Sequence, residues 1–263
     1  MTVPFNSKEA IASDTQRILR QQSCSTRGGA HTSFSDRDSS RRRFLQMTMG
    51  GTLAGLVTAA GVEFATPRPV LAQSNLSPDA ALQELMDGNR RFSAHRVTAH
   101  EQDLAILKQN TMEKQEPFAA VLSCADSRVP IEMVFDQSIG HLFVTRVAGN
   151  VVTAEIIASL EYGAAVLGTK VILVVGHGGC GAVKATIQAK EVPGQISALY
   201  PHIQPAVDQA GPNLDAATKA NAKIQAALLR KASTVISGLL KEGKLKVVAG
   251  YYDVASGVVS LLE

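Results

Sequence analysis

The sequence has too few cysteines for disulfide bonds to stabilise its fold, as they do in many small secreted domains. Its 263 residues include only three cysteines and no tryptophan, and aromatic residues make up 5% of the chain. Three cysteines cannot form the dense disulfide framework on which small secreted domains depend. Apolar residues make up 45%, and a chain of this length can bury a sizeable core. A hydrophobic core must therefore supply the stability.

The chain also lacks a strong charge on the part that should fold. The formal net charge is +3, but residues 1–72 hold nine of the Lys and Arg residues against five Asp and Glu. The rest of the chain carries 17 basic and 18 acidic residues. Since a basic surface is the usual mark of nucleic-acid binding, the folded part is not expected to bind nucleic acid.

The first 72 residues have the form of an export signal. Residues 1–40 are polar, rich in Ser and Arg and without periodicity, which predicts a disordered basic region. Residues 41–72 join a basic cluster to a Gly- and Ala-rich stretch, and "PVLAQ" offers a peptidase site after Ala72. The run "SRRRFL", with Arg42 and Arg43, resembles the twin-arginine signal and predicts export to a periplasm or an equivalent compartment. A Sec signal and an uncleaved membrane anchor are the alternatives.

The pattern over 73–263 is that of one α/β domain. Ser77 and Pro78 can open an N-terminal helix as its cap and first residue, and a second, polar helix is expected over 100–114. Apolar runs predict strands at 118–123, 142–148, 170–176 and 245–251. Helical periodicity predicts helices at 153–167, 180–190 and 215–241, with a loop or short helices at 192–212. This alternation predicts a mostly parallel β-sheet flanked by helices, with an N-terminal helical extension.

Two groups of chemically active side chains follow two of the predicted strands. Cys124 comes just after the first strand, and His177 and Cys180 follow the third. Because sites in such sheets gather beyond the carboxyl ends of the strands, these side chains are expected to converge. Two thiolates and one imidazole form a three-ligand zinc set with an open fourth position, which is typical of a catalytic site. Zinc in such a site lowers the pKa of bound water towards neutrality.

Asp126 and Arg128 stand at alternate positions after Cys124, in "CADSR". In an extended loop this spacing would direct all three side chains to one side. A carboxylate paired with Arg128 stays ionised and can accept a hydrogen bond from zinc-bound water. The same carboxylate, once released, could fill the fourth zinc position and close the site. The residues alone leave both states open, and they also leave open a disulfide or a thiol redox pair formed by Cys124 and Cys180.

Two motifs carry a resemblance to a known family. "CADSRVP" and, about 50 residues later, "HGGCGAV" resemble the β-class carbonic anhydrases, and the similarity extends over nearly all of the predicted domain. The resemblance implies one zinc ion per chain on Cys124, His177 and Cys180, with Asp126 and Arg128 beside it. It implies reversible hydration of carbon dioxide to bicarbonate and a proton through zinc-bound hydroxide. Relatives that hydrolyse carbon disulfide or carbonyl sulfide leave a second substrate class open.

The resemblance also implies substrate-binding positions and an assembly. It places Gln115, Phe143, Tyr162 and Gly181 at the substrate pocket, with Gln115 reaching it across a dimer interface. Ordinary core packing is the alternative for the two aromatic residues. A homodimer or higher homo-oligomer is implied, in which the N-terminal helix reaches over a neighbouring subunit. His141 stands where relatives commonly have Asp, and we interpret it as a surface substitution rather than a proton shuttle.

Overall fold

The computed structural model of the protein describes residues 75–99 and 115–263. Within these ranges the chain forms a five-stranded sheet flanked by helices. The predicted export segment and the predicted helix over 100–114 lie outside the described residues. No helix within the described ranges has the length and apolar character needed to cross a membrane.

The sheet contains the four predicted strands and one further strand. They are β1 (Ala119–Ser123), β2 (Leu142–Arg146), β3 (Val171–His177), β4 (Lys246–Tyr252) and β5 (Val259–Leu262). Their spatial order is β2-β1-β3-β4-β5. The first four strands are parallel, and β5 runs antiparallel to β4 at one edge. The predicted mostly parallel α/β fold is confirmed, and each predicted strand boundary lies within two residues of the observed one.

Helices and short turns connect the strands. The α-helices are α1 (Pro78–Ser93), α2 (Ile131–Val134), α3 (Ala154–Glu161), α4 (Gly181–Ile187), α5 (Tyr200–Ala210), α6 (Leu214–Ala232) and α7 (Thr234–Lys241). Short 3-10 turns lie at Ala148–Asn150 and Ile196–Leu199, and α3 continues into a π turn, Tyr162–Val166.

Both faces of the central strands are covered. Every residue of β1 and β3 is buried, as expected for parallel strands between two helical layers. Val121 of β1 belongs to the core cluster that includes Leu85 of α1. Its neighbour Leu122 belongs to the cluster that includes Ala222 of α6. Successive residues of β1 therefore stabilise opposite layers, which fixes the strand's register in the sheet.

Helix α1 packs along its own chain. Ser77 caps it as predicted, because its Oγ accepts a hydrogen bond from the Ala80 N–H at 3.2 Å, and Pro78 is the first helical residue. Gly88 permits a close approach to the loop after α2, since a Cβ at this position would overlap the carbonyl oxygen of Phe135. The inner face of α1 is thus used within the chain. Only its outer face is left for the predicted contact with a neighbouring subunit.

The single helix expected over 215–241 is in fact two helices, α6 and α7. Ser233 lies between them with extended backbone angles, φ −106° and ψ 120°. Its Oγ accepts a hydrogen bond from the Ile236 N–H at 2.9 Å and donates to Glu161 Oε1 at 2.6 Å. A serine that caps a new helix ends the previous one, and helical periodicity alone does not show this break. Over 192–212 the short-helix alternative is correct, because α5 lies there.

Candidate metal centre

Three potential metal ligands meet at the carboxyl edge of the sheet. Cys124 is the first residue after β1, His177 is the last residue of β3, and Cys180 directly precedes α4. Since β1 and β3 are neighbours, the two segments leave the sheet side by side. One ligand atom from each residue lies within 4.8 Å of the other two, and all three residues are buried. The two motifs thus lie together at the carboxyl edge of the sheet, as the positions of Cys124 and His177 after the predicted strands indicated.

A tight turn returns the second cysteine to the histidine. Gly179, between His177 and Cys180, has a φ of +68°. This left-handed conformation favours glycine, because a Cβ would strain the backbone there. The turn lets the last residue of β3 and the residue before α4 present their side chains to the same point.

The imidazole of His177 presents one nitrogen atom to the site. Its Nδ1 lies 3.1 Å from the carbonyl oxygen of Gly178, and because a carbonyl can only accept, Nδ1 carries the proton. Nε2 therefore holds a lone pair. It is buried and has no hydrogen-bond partner within the described part of the chain. A buried nitrogen atom without a partner needs an explanation, and a metal ion would satisfy it.

The two cysteines form a polarised thiol pair. Both are free. The hydrogen bond from the Cys180 thiol lowers the pKa of Cys124 against the opposing effect of burial, and the Gly149 N–H, 3.3 Å from the sulfur, lowers it further. The same pairing and burial raise the pKa of Cys180. A metal ion would deprotonate the second thiol as well, and two sulfurs with one nitrogen and an open position fit zinc.

Asp126 lies beside the three ligands and forms a bidentate ion pair with Arg128. The guanidinium donates from Nε and a terminal nitrogen to the two carboxylate oxygens, at 2.9 and 2.8 Å. This contact holds the pKa of Asp126 well below its usual range, so the carboxylate is ionised. One carboxylate oxygen lies 3.9 Å from His177 Nε2. A carboxylate and an imidazole lone pair repel each other unless a cation lies near both, so this geometry also fits a metal ion.

The extended loop expected after Cys124 is not observed, because the chain turns at once. The Val129 N–H donates to the Asp126 carbonyl at 3.1 Å, and the Arg128 N–H donates to Asp126 Oδ1 at 2.9 Å. The aspartate side chain thus bonds the backbone two residues on, which is an Asx turn. This turn, rather than alternate spacing in an extended chain, brings Asp126 to Arg128. The guanidinium also donates to the Gly179 carbonyl at 3.3 Å and so joins the two motifs.

Sequence reasoning misses Arg146, the last residue of β2. Its Nε donates to the Cys124 carbonyl at 3.1 Å, and a terminal nitrogen donates to the Asp126 carbonyl at 2.6 Å. Arg146 therefore fixes the loop that carries a metal ligand and the carboxylate. The signal in the sequence is the lone charge in "LFVTRVA" at a strand end that faces the same edge of the sheet.

The predicted aromatic pocket residues lie together but away from the ligands of their own chain. The rings of Phe143 and Tyr162 have centroids 6.1 Å apart. Phe143 pairs with Ala120 in the sheet, four residues before Cys124, which is about 13 Å along a strand. Within one chain, this pair therefore packs against the flank of the sheet rather than against the metal ligands.

The remaining predicted positions divide between the two edges of the sheet. Gly181 is the exposed first residue of α4, next to Cys180. Gln115 is exposed and precedes β1, so it lies at the edge opposite the ligands. His141 directly precedes β2 at the same opposite edge, is exposed, and has its Nδ1 3.4 Å from Gln137 Oε1. That location is a surface one, and it lies too far along the strand for a proton shuttle within the chain.

The comparisons with known proteins agree with this geometry. A family model described as carbonic anhydrase matches residues 119–259. The chain is 36% identical over 195 residues to a carbonic anhydrase of Mycolicibacterium smegmatis, which covers 71% of this chain and 94% of the relative. It is 32% identical over 194 residues to carbonic anhydrase 2 of Mycobacterium tuberculosis H37Rv, covering 70% and 92%.

Solved structures show the same fold. A tetrameric β-carbonic anhydrase of Sordaria macrospora aligns with a TM-score of 0.56 at 21% identity, over 69% of this chain and 96% of that chain. The Coccomyxa β-carbonic anhydrase in complex with acetazolamide aligns with a TM-score of 0.55 at 26% identity, over 69% and 86%. The family match spans β1 to the start of β5 and contains all three ligands. The chain therefore belongs to the carbonic anhydrase family, and its fold and ligand set are those of the β class.

Proposed function

We propose that the protein is a zinc-dependent carbonic anhydrase that catalyses the reversible hydration of carbon dioxide to bicarbonate and a proton. The observation that carries this proposal is the buried group of Cys124, His177 and Cys180, whose ligand atoms lie within 4.8 Å of one another beside Asp126. Zinc bound there supplies a Lewis acid that makes water a competent nucleophile near neutral pH. Relatives named carbonic anhydrases support the same activity.

The chain's own residues orient the nucleophile and open the site. Arg128 keeps Asp126 ionised, so the carboxylate can accept a hydrogen bond from the attacking water and direct its lone pair at carbon dioxide. The side chain of Arg128 is 52% exposed and that of Asp126 17%, so the site opens to solvent at this pair and the released proton can pass to buffer. On the opposite side, Cys124 and Cys180 belong to an apolar cluster with Val151, which excludes water.

Zinc content and carbon dioxide hydration, measured on one preparation of the purified protein, test the proposal. Cys124→Ser should lose the metal and the activity together, because two remaining ligands seldom hold a catalytic zinc ion. Ser159→Ala, on the exposed side of α3, is the control and should keep both. Full zinc content in Cys124→Ser, or a zinc-loaded wild type that does not hydrate carbon dioxide, would contradict the proposal.

The two alternatives from the sequence are not favoured. A thiol redox site needs only Cys124 and Cys180, yet both are free thiols and the His177 lone pair is directed at the same point. Carbon disulfide or carbonyl sulfide hydrolysis would use the same metal set, but the named relatives are carbonic anhydrases.

A homodimer or a larger homo-oligomer also forms part of the proposal. The tetrameric Sordaria macrospora enzymes support it. So does the position of Gln115 and Tyr162, which are exposed, Tyr162 to 46%, at a distance from the ligands of their own chain. A second copy could bring these side chains to its neighbour's site.

Export by the twin-arginine route to a periplasm or an equivalent compartment is proposed as well. Its support is the sequence "SRRRFL" ahead of a Gly- and Ala-rich stretch. Replacing Arg42 and Arg43 by Lys should leave the precursor in the cytoplasm, measured by fractionation, whereas Arg68→Lys should be exported as the wild type is. Normal export of the double variant would show that the route is wrong.

A further inference from the structure

We infer that Asn221 and Gln225, two buried amides on α6, are positioning residues that aim a hydrogen bond at the sulfur of Cys124 and so tune the metal site. The inference rests on the proposed zinc set. It concerns residues whose hydrogen bonds go neither to the metal ligands nor to the Asp126–Arg128 pair.

The hydrogen bond in question comes from Gly149. Its N–H donates to Cys124 Sγ at 3.3 Å. Gly149 lies in the 3-10 turn with a φ of 75° and a ψ of 13°, and a Cβ there would stand 2.8 Å from Ile203 Cδ1. Glycine adopts these left-handed angles without strain, but it can adopt many others as well, so contacts must hold the turn in the orientation that directs the N–H at the sulfur.

Asn221 supplies that restraint from the neighbouring helix. Its Nδ2 donates to the Gly149 carbonyl at 2.8 Å, and its side chain is fully buried. The residue thus holds the carbonyl of Gly149 while the N–H of the same residue faces Cys124. Because the two peptide groups share one Cα, rotation of either would move the donor away from the sulfur.

Gln225 in turn fixes the amide of Asn221. One helical turn later on α6, it donates from Nε2 to Asn221 Oδ1 at 3.1 Å and to the His202 carbonyl at 3.0 Å. Its Oε1 accepts from the Val152 N–H at 2.8 Å, just beyond the turn. With its oxygen bonded by Val152 and its nitrogen by two acceptors, the amide has one orientation, and it links Asn221 to the segment just after the turn.

The surroundings make this pair hard to explain as general core packing. The buried positions of α6 are otherwise mostly small or apolar, Ala217, Ala222, Ala226 and Leu229 among them. A buried amide costs free energy unless its hydrogen bonds are all made. In α6 two of those bonds join the helix to the segment Gly149–Val152, which begins at the donor to Cys124.

A hydrogen bond to a ligating sulfur withdraws electron density from it. This stabilises the filled sulfur orbital, so sulfur-to-metal charge transfer needs more energy, and it favours the deprotonated thiolate that a metal ion requires. Loss of the Gly149 restraint should therefore change the metal's spectrum as well as its affinity.

The test compares Asn221→Leu with Thr218→Val in the purified protein. Leu removes the amide and keeps the branching at Cγ. Thr218 lies one turn earlier on α6, is equally buried, and its hydroxyl has no hydrogen-bond partner among the described residues, so its replacement is the matched control. The readouts are zinc affinity by chelator competition and the sulfur-to-metal charge-transfer absorption after substitution with Co(II). Asn221→Leu should bind zinc about 10–100-fold more weakly and move the Co(II) band to longer wavelength, whereas Thr218→Val should change neither.

Gln225→Met gives an independent second variant of similar length. It removes the donor to Asn221 without adding a charge, so it should shift the band in the same direction by less. If Asn221→Leu does not fold, this variant decides. If the substituted amide variants have the same Co(II) band and zinc affinity as Thr218→Val, the positioning role is wrong. If the wild-type protein binds neither zinc nor Co(II), the proposed function is wrong instead.

Discussion

At the scale of single residues, the contact between Asp126 and Arg128 carries the sharpest prediction. Arg128→Ala should keep zinc, because all three ligands remain, but it frees the Asp126 carboxylate to take the fourth position. Loss of an outer partner typically costs about 10–100-fold in activity, and a closed fourth position should cost more. Zinc per chain and the rate of carbon dioxide hydration, measured on the same sample, separate these two effects.

Two further variants of this pair act as controls. Asp126→Asn cannot coordinate as an anion, so its site should stay open and lose only the charge of the acceptor that orients the nucleophile. Arg128→Lys keeps a positive charge but lacks the planar fork that holds both carboxylate oxygens, so its activity should lie between those of the wild type and Arg128→Ala. Full activity in Arg128→Ala, or a parallel loss of zinc, would contradict the role given to the pair.

The residues of the site differ in how far the sequence could predict them. Cys124 and His177 could be predicted because each follows a recognisable strand and has a side chain with few other uses. The contacts of Arg146 and Asn221 could not, because the partners lie 22 and 72 residues away in the chain and are backbone carbonyls. Nothing in a residue type records which carbonyl it will meet, so outer contacts of this kind become visible only when the elements are in place.

At the scale of elements, substitutions at two glycines test how closely α1 packs against the loop after α2. Gly88→Ala should lower the free energy of unfolding by about 1–3 kcal/mol, because its Cβ would overlap the Phe135 carbonyl and the helix must shift. Gly238→Ala, inside α7 with no atom within 4 Å of the new Cβ, should instead raise it by about 0.5–1 kcal/mol. Urea unfolding of both variants measures this, and equal effects would show that α1 is not seated this closely.

The same region contains a buried carboxylate that gives a pH prediction. Asp136, whose side chain is fully buried, accepts hydrogen bonds from Arg91 Nε at 2.5 Å and from the Thr98 and Ala99 N–H groups at 2.8 and 2.9 Å. Burial acts to raise the pKa of Asp136, but these donors outweigh it and hold the pKa below its usual value. A lowered pKa means that the carboxylate stabilises the fold above the unfolded pKa of about 3.9 and that this contribution is lost as pH falls through the folded value.

Asp136→Asn tests that expectation without changing the backbone, since Asn tolerates the positive φ of this residue, 45°. Its free energy of unfolding should be about 1–3 kcal/mol below that of the wild type at pH 7, because a charged acceptor is lost. The difference should narrow below pH about 4. Urea unfolding across pH 3–7 measures it, and a difference that stays constant over this range would contradict the lowered pKa.

The elements themselves show where periodicity is informative. The buried strands β1 and β3 could be placed to within one residue, because both faces are covered and their sequences are unbroken apolar runs. The edge strand β5 lies outside the predicted strands, since its four residues are too few to show a periodic pattern. The break at Ser233 was missed for a different reason, because a cap acts through one side-chain hydrogen bond and leaves the apolar period of the flanking helices unchanged.

At the scale of the whole molecule, the proposed site draws on groups at both edges of the sheet, which one chain cannot bring together. The ligands lie beyond the carboxyl ends of β1 and β3, whereas Gln115 precedes β1 at the amino edge. Tyr162 is exposed on the flank beside Phe143. In an isologous dimer each chain could present this surface to its partner's ligands. Sedimentation of the purified protein should therefore give a dimer or a larger species, and a monomer at micromolar concentration would contradict the assembly.

A complementation experiment tests whether the site is shared between chains. Gln115→Ala should lower activity with zinc retained, and Cys124→Ser should abolish it with loss of zinc. In a mixed dimer, the chain with intact ligands receives Gln115 from its partner, so one site is complete. Random mixing makes about half of the dimers mixed, so co-expression of the two variants should restore about a quarter of wild-type activity per chain.

The control pairs Gln115→Ala with a chain that carries both substitutions, which offers no intact Gln115 and should restore nothing. If co-expression gives only the sum of the separate variants while mixed oligomers are present, Gln115 does not act across the interface. If activity is restored with Cys124→Ser but not with the doubly substituted control chain, the partner chain supplies the missing side chain.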